Sequence, residues 1–320
     1  MDGPPTPSAG GRAVAWLLES SEPAIRRLAR RDLLGEPGPE DDRAVLGGPK
    51  VSALLAGQRP DGGFGGHPYR KWGGAHWRLV SLAELGVPGG DPRVAVVAER
   101  VLSWLAAPRR LRGGKVIDGL TRRCASLEGN GLGACCRLGL AGDPRAELLA
   151  RSLVGWQWPD GGWNCDQRAS GRRSSFHETL PAAWGLHEYA AATGAGWARR
   201  AAGRAAELFL EHRLFRSLRT GEVIDRRWLA PHYPPYWRYD VLQALLVLSR
   251  MGLAGDPRAA DALDVLEQRR LPDGRWRPGG CWWRYDGRGS GPLEVVDWGR
   301  DGPNEMITLN ALRCLRAAGR

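Results

Sequence analysis

The chain is poor in lysine, in long apolar runs and in strand-like alternation. Lysine stands only at 50, 71 and 115; all other positive charge is arginine, in a sequence heavy in alanine and glycine. The formal net charge is +11, but the arginines are scattered, as at Arg26-Arg27, Arg109-Arg110, Arg199-Arg200 and Arg226-Arg227. Scattered charge reads as a solvated surface, so no nucleic-acid partner is expected. An acidic partner or peripheral contact with an anionic membrane stays open. No apolar run approaches a membrane span, and residues 1–11 are polar and proline-rich, unlike a signal peptide. The six cysteines (124, 135, 136, 165, 281 and 314) form no pairing ladder, and the adjacent Cys135 and Cys136 cannot both face one partner. Mostly free thiols and a cytoplasmic setting are expected.

What the chain has is repetition. Pro60-Asp61-Gly62-Gly63-Phe64, Pro159-Asp160-Gly161-Gly162-Trp163 and Pro272-Asp273-Gly274-Arg275-Trp276 share one turn signature. A second signature interleaves with it: Gly90-Asp91-Pro92-Arg93, Gly142-Asp143-Pro144-Arg145 and Gly255-Asp256-Pro257-Arg258. In the last two pairs the aspartates lie 17 residues apart. Two turn types at a fixed period mean a repeated helical hairpin. Each Asp-Pro-Arg caps and starts a helix, since proline suits the first turn and aspartate accepts from exposed N–H groups. These outer helices are expected at about 43–57, 91–106, 143–156, 197–213 and 256–269. Inner helices, richer in apolar and small residues, are expected at about 76–86, 129–140, 175–192, 237–252 and 304–318. Residues 12–20 and 22–34 supply a further pair. The predicted fold is all-α: an α/α toroid of about 10–12 helices, one domain over 12–320, with 1–11 extended or disordered.

Connections from inner to outer helices are short, and those from outer to inner are long: about 58–75, 107–128, 157–174, 214–236 and 270–303. A closed ring puts every long loop at one end, where every inner helix also begins. N–H groups and positive dipole ends converge there, and loops this long in a compact domain are usually functional.

The runs Gln58-Arg59-Pro60-Asp61-Gly62-Gly63-Phe64 and Trp156-Gln157-Trp158-Pro159-Asp160-Gly161-Gly162-Trp163 resemble the repeat motif of squalene–hopene cyclases and protein prenyltransferase β subunits. The resemblance covers about 54–318 and extends to bacterial squalene-cyclase-like proteins of unestablished activity. It implies the toroid, and an isoprenoid or comparably apolar small molecule in a central cavity. The chain departs from the catalytic motifs of these families. There is no Asp-x-Asp-Asp tetrad; Asp41-Asp42 lacks the first member. There is no Asp-Asp-x-x-Asp. The prenyltransferase Asp-x-Cys zinc ligands match Gly73 and Ala75 here, although Phe176-His177-Glu178-Thr179 resembles the family's histidine run. No cofactor is therefore expected.

Each inner helix offers a polar or aromatic residue to the long-loop end. His76 and Trp77 open the first, Asn130 lies near the start of the second, and His177, Asp240 and Glu305 open the others. Asp240 follows the aromatic run His232-Tyr233-Pro234-Pro235-Tyr236-Trp237-Arg238-Tyr239 and begins the most apolar helix. It is either a helix cap or a carboxylic acid kept protonated by an apolar cavity, beside Tyr236, Trp237 and Tyr239. Asp240, His177 and Glu305 are the candidate acids and bases. Trp72, Trp77, Trp237, Trp282 and Trp283 are candidates for lining the cavity, while Trp163 and Trp276 are read as structural. Asn164-Cys165-Asp166 with His177 could hold zinc; alternatively Cys165 is a small buried filler and His177 a polar residue at a helix start. The expected function is acid–base cyclisation or isomerisation of an apolar molecule, with a non-catalytic module binding lipid, peptide or protein as the alternative.

Overall fold

A computed structural model describes residues 9–37 and 41–320. The elements are α1 (Ala9–Leu18), α2 (Pro23–Ala29), α3 (Asp42–Leu46), α4 (Pro49–Leu55), α5 (Ala75–Glu84), α6 (Pro92–Leu105) and α7 (Pro108–Arg112). A small hairpin of β1 (Lys115–Ile117) and β2 (Leu120–Arg122) follows. Then come α8 (Ala125–Arg137), α9 (Pro144–Trp156), α10 (Phe176–Thr193), α11 (Gly196–Glu211), α12 (Val241–Arg250), α13 (Ala260–Gln268) and α14 (Glu305–Ala317). The two short strands pair antiparallel, Lys115 opposite Arg122, and are the only sheet among the described residues.

The all-α toroid is present. Its inner wall is α2, α5, α8, α10, α12 and α14; its outer wall is α1, the broken pair α3–α4, α6, α9, α11 and α13. Inner and outer helices differ as the sequence implies. Every residue of α5 is buried, as is every residue from Val241 to Leu248 of α12. In α6 only one stripe is buried: Val94, Val97, Ala98, Val101, Leu102 and Leu105. Asp91, Asp143 and Asp256 each accept from the backbone N–H two residues on, and each also holds the arginine of its own motif. Inner helices end on left-handed glycines, Gly86, Gly139 and Gly252, which only a residue without Cβ adopts cheaply. Residues 9–11 are not extended: they form the first turn of α1. Residues 1–8 lie outside the described residues.

The Pro-Asp-Gly turns are the ring's joints. Gly62, Gly161 and Gly274 all have positive φ, and a Cβ on each would collide with the backbone of the next outer helix. Gly62 meets Val96 of α6, Gly161 meets Arg204 of α11, and Gly274 meets Ala9 of α1. The third joint therefore closes the ring onto its first helix. The structural reading of two tryptophans fits their geometry: Trp163 Nε1 donates to Leu153 and Trp276 Nε1 to Leu266, each ten residues back on the preceding outer helix.

The α8–α10 contact is a backbone-to-backbone one. A Cβ on Gly129 would strike Pro181, and one on Gly185 would strike Gly129. At the short-loop end the axis is crossed by ion pairs. Glu84 accepts from Arg250 at 3.0 Å and Arg137 at 3.4 Å, and Asp32 from Arg31 at 2.6 Å and from Arg313. Burial pushes the Glu84 carboxyl up, but Arg250 and Arg137 outweigh it and its pKa falls.

Candidate active site

The long-loop end of the barrel is filled. Tyr236 lies across it, stacked on Trp72 at 4.3 Å between centroids and edge-on to Trp77 at 5.0 Å. Its hydroxyl donates to the buried Glu294, and its carbonyl accepts from Asn130 Nδ2 at 2.8 Å. Burial lifts the Glu294 carboxyl to about 7, even though Tyr236 and two backbone N–H groups pull the other way. Below this plug the axis retains about 40 Å³ of free space, bordered by Asn130, Leu180, Trp184 and Leu246. Aromatic residues expected to line a cavity occupy it instead. Trp72, Trp77, Tyr236 and also Trp283, whose Nε1 donates to Tyr233 at 3.0 Å, pack against one another or against the loops.

The free space is displaced toward the α10–α12 side. A pocket of about 230 Å³ is bounded by His177, Trp228, His232, Trp237, Arg238 and Trp282, with Asp225, Arg227 and Tyr239. It shares His177 and Trp228 with a groove of about 900 Å³. The groove carries an apolar wall of Phe176, Leu208, Leu218, Val223 and Ile224 and a polar rim that includes Arg172, Arg173 and Arg219. Leu218 and Ile224 are strongly exposed for their type.

Asp240 opens α12, where the aromatic run before it demands. It is wholly buried, and both oxygens are engaged. Oδ1 caps the helix through Gln243 N–H at 2.9 Å; Oδ2 accepts from the His232 backbone N–H at 2.9 Å and lies 2.6 Å from His232 Nδ1. Asp240 therefore acts as a cap and as the anchor of His232, not as a proton donor open to a cavity. With Nδ1 bonded to Asp240, the neutral His232 ring carries its proton on Nδ1 and a lone pair on Nε2. That Nε2 is buried and has no partner. So are Trp228 Nε1, Trp237 Nε1 and Arg238 Nε, on three other residues of the same pocket. Buried polar atoms are nearly always paired, and these four belong to residues that border one pocket.

His177 has the opposite polarity. Its Nδ1 accepts the Tyr239 N–H at 2.9 Å, so the neutral ring carries its proton on Nε2. Burial, and then the charges of Arg238 and His232, hold its pKa down to about 4. It is neutral at pH 7. The edges of Trp228 and Trp237 stand 6.0 Å and 5.7 Å from it, centroid to centroid. Tyr239 is fixed from behind by its hydroxyl, which donates to Leu214 at 2.5 Å. Trp282 covers the far side, 6.3 Å from the His232 ring and under the Arg238 guanidinium at 4.1 Å.

The remaining candidates do not gather here, and the expectation that His76, Asn130, His177, Asp240 and Glu305 ring one cavity is corrected. His76 is packed between Trp77, Trp104 and Gly131 with both ring nitrogens unpaired. Burial, with Arg110, drives its pKa to about 3. Glu305 binds Ser20 and Lys50, at 3.1 Å, across the seam between the last helix and the first repeat. Asn130 holds the plug. Cys165 lies against Glu178 rather than His177, and Asp166 is held by Arg168 at 2.8 Å. His177 and Glu178 are consecutive but serve opposite neighbours, the 231–239 loop and α8. The residue that sequence reasoning passed over as a candidate is His232. Its signal was available: a histidine in a tight aromatic and proline-rich loop, shortly before an N-capping aspartate.

No protein-family model matches the chain, and no curated protein matches it. Two solved structures of the type II terpene cyclase MstE from Scytonema are similar in part. The apo form shares 12% identity over 84% of this chain and 96% of its own, with a TM-score of 0.28. A variant in complex with geranylgeranyl dihydroxybenzoate, its substrate, shares 13% identity over 84% of this chain and 95% of its own, with a TM-score of 0.30. At these values neither membership of a family nor an activity follows from the likeness. Among the described residues no helix is long and apolar enough to cross a membrane.

Proposed function

We propose that the protein is an acid–base enzyme that isomerises an apolar small molecule of the isoprenoid type. The substrate's chain would lie in the groove walled by Phe176, Leu218 and Ile224, and its reacting end would enter the pocket between His177 and His232. The observation that carries this reading is the opposed hydrogen bonding of the two histidines. Both border the same pocket, one with its N–H and the other with its lone pair left without a protein partner. This is the pairing needed to shift a double bond beside a carbonyl. His177 Nε2–H, supported by the Trp237 indole N–H, donates to the carbonyl oxygen. His232 Nε2 removes a proton from the adjacent carbon, and Asp240 stabilises the imidazolium that results. The same nitrogen returns the proton to the far end of the allylic system, so atoms and charge balance without a co-reactant. Cyclisation begun by protonating an isolated alkene is less well served. It needs a strong carboxylic acid in contact with substrate, Asp240 is fully engaged, and Glu294 lies beneath Tyr236.

The test is proton exchange. Protein in deuterium oxide is incubated with a panel of unsaturated prenyl-chain ketones, and the mass of each is followed. Deuterium incorporation that is lost in His232→Ala is expected. The filled axis, with only about 40 Å³ free, favours a second reading in which the toroid binds lipid, peptide or protein without reaction. Equal ligand binding by the wild type and His232→Ala, with no deuterium incorporated by either, would establish that reading instead.

A further inference from the structure

On the α8 side of α10, away from the histidine pocket, three metal-binding side chains meet. Cys124 is the residue before the first turn of α8, Cys165 lies in the loop leading to α10, and Glu178 is in the first turn of α10. Their two thiol sulfurs and a carboxylate oxygen lie within 4.8 Å of one another, and Cys165 Sγ is 3.4 Å from Glu178 Oε1. Glu178 is buried at 8% exposure, and its Oε2 accepts the Ser126 N–H at 2.9 Å. No cationic side chain pairs with it among the described residues. The neighbouring Arg110 and Arg123 both bind Glu128 at 2.9 Å. A cation shared by this carboxylate and the two thiols would supply the counter-charge that the protein's own side chains do not.

We infer that Cys124, Cys165 and Glu178 bind a zinc ion, with the fourth position open to water beside the exposed Cys124. Zinc–sulfur and zinc–oxygen bonds of about 2.3 and 2.0–2.2 Å set tetrahedral ligand atoms roughly 3.5–3.8 Å apart. The 4.8 Å spread closes to that with a shift of about 1 Å. Two thiolates, a carboxylate and Zn²⁺ sum to one negative charge, and the amino ends of α8 and α10 both stabilise it. The ion would pin the loop before α10 to the start of α8. The donor set differs from the one weighed in the sequence: neither Asp166 nor His177 belongs to it, and it does not use the positions of Gly73 and Ala75.

The experiment is a Co²⁺ titration of the reduced, metal-free, full-length protein. One equivalent should produce thiolate-to-cobalt charge-transfer absorption and the intense visible bands of tetrahedral cobalt, both erased by Zn²⁺. Cys165→Ser and Cys124→Ser should each weaken binding by more than about 100-fold, and Glu178→Gln by about 10-fold or more. Cys124 is exposed, so its variant tests the site even if Cys165→Ser misfolds. Cys281→Ser should leave the titration unchanged. Absence of the charge-transfer band, or its survival in Cys124→Ser, overturns the inference.

Discussion

Asp240→Asn keeps the shape of the side chain and removes its charge, and the structure fixes what must follow. In one orientation the amide oxygen still caps Gln243 N–H, but the NH₂ group then faces two donors. These are the His232 backbone N–H, 2.9 Å from Oδ2, and His232 Nδ1, 2.6 Å from it. Turning the amide over moves the conflict to Gln243 N–H. The ring can yield by moving its proton to Nε2 and accepting at Nδ1; the backbone N–H cannot. The variant loses a hydrogen bond to a charged acceptor, worth about 1.5–3 kcal/mol, and strands a buried donor at about 1–3 kcal/mol. A destabilisation of about 3–5 kcal/mol is expected, measured by urea unfolding. Ring ¹⁵N NMR should show His232 changing from the Nδ1–H to the Nε2–H tautomer, and proton exchange into bound ligand should stop. A loss below about 1 kcal/mol with an unchanged His232 tautomer would refute the Asp240–His232 assignment.

Three further outcomes follow from packing and burial. Gly129→Ala drives a methyl group into the Pro181 backbone across the α8–α10 contact and should cost about 3 kcal/mol, read as a lowered urea midpoint with an unchanged slope. His76 has its folded pKa depressed to about 3, so the fold favours the neutral ring. Its stability is complete above the unfolded value of about 6.5 and is lost as pH falls toward 3; His76→Leu should flatten the acid limb of the stability profile, and an unchanged limb would place that titration elsewhere. Glu294 behaves with the opposite sign. Its carboxyl is raised to about 7, so the stability tied to it is present below about 4.5 and is lost as pH rises through 7, on the order of 3 kcal/mol. Glu294→Gln should remove that fall between pH 4.5 and 8, as followed by denaturation at each pH.

The fold was legible because its rules are local. An aspartate before proline caps a helix wherever it stands, and a glycine of positive φ can touch the next helix. Asp91, Asp143, Asp256 and the Pro-Asp-Gly joints could therefore be read without coordinates. The helix boundaries drifted where the chain deviates from one ideal helix: α3–α4 is broken at Gly47-Gly48, and α13 begins with a 3₁₀ turn at Pro257–Ala259. The site was only half legible. Burial of Asp240 followed from its apolar helix, but its partner depended on how the 231–239 loop folds back, which no periodicity encodes. Aromatic residues misled for a related reason. A tryptophan that lines a cavity and one that fills it look alike in sequence, and Trp72, Trp77 and Trp283 fill where Trp237 and Trp282 line.

The joint between Gly274 and α1 is reinforced by Arg12, which donates to the Pro272 carbonyl across 260 residues of chain. A hoop latched in this way has no finished state until its last segment exists. During synthesis each shorter length is an open arc with two bare flanks, α2 on one side and the newest inner helix on the other. The flank of α2 packs on α14, and the turn at Gly274 on α1, so a chain that has reached its last helix can latch onto the α1–α2 flank of another copy as well as onto its own. Slow closure once residues 270–320 are made would therefore appear first as interlocked dimers and aggregates rather than as a softened monomer.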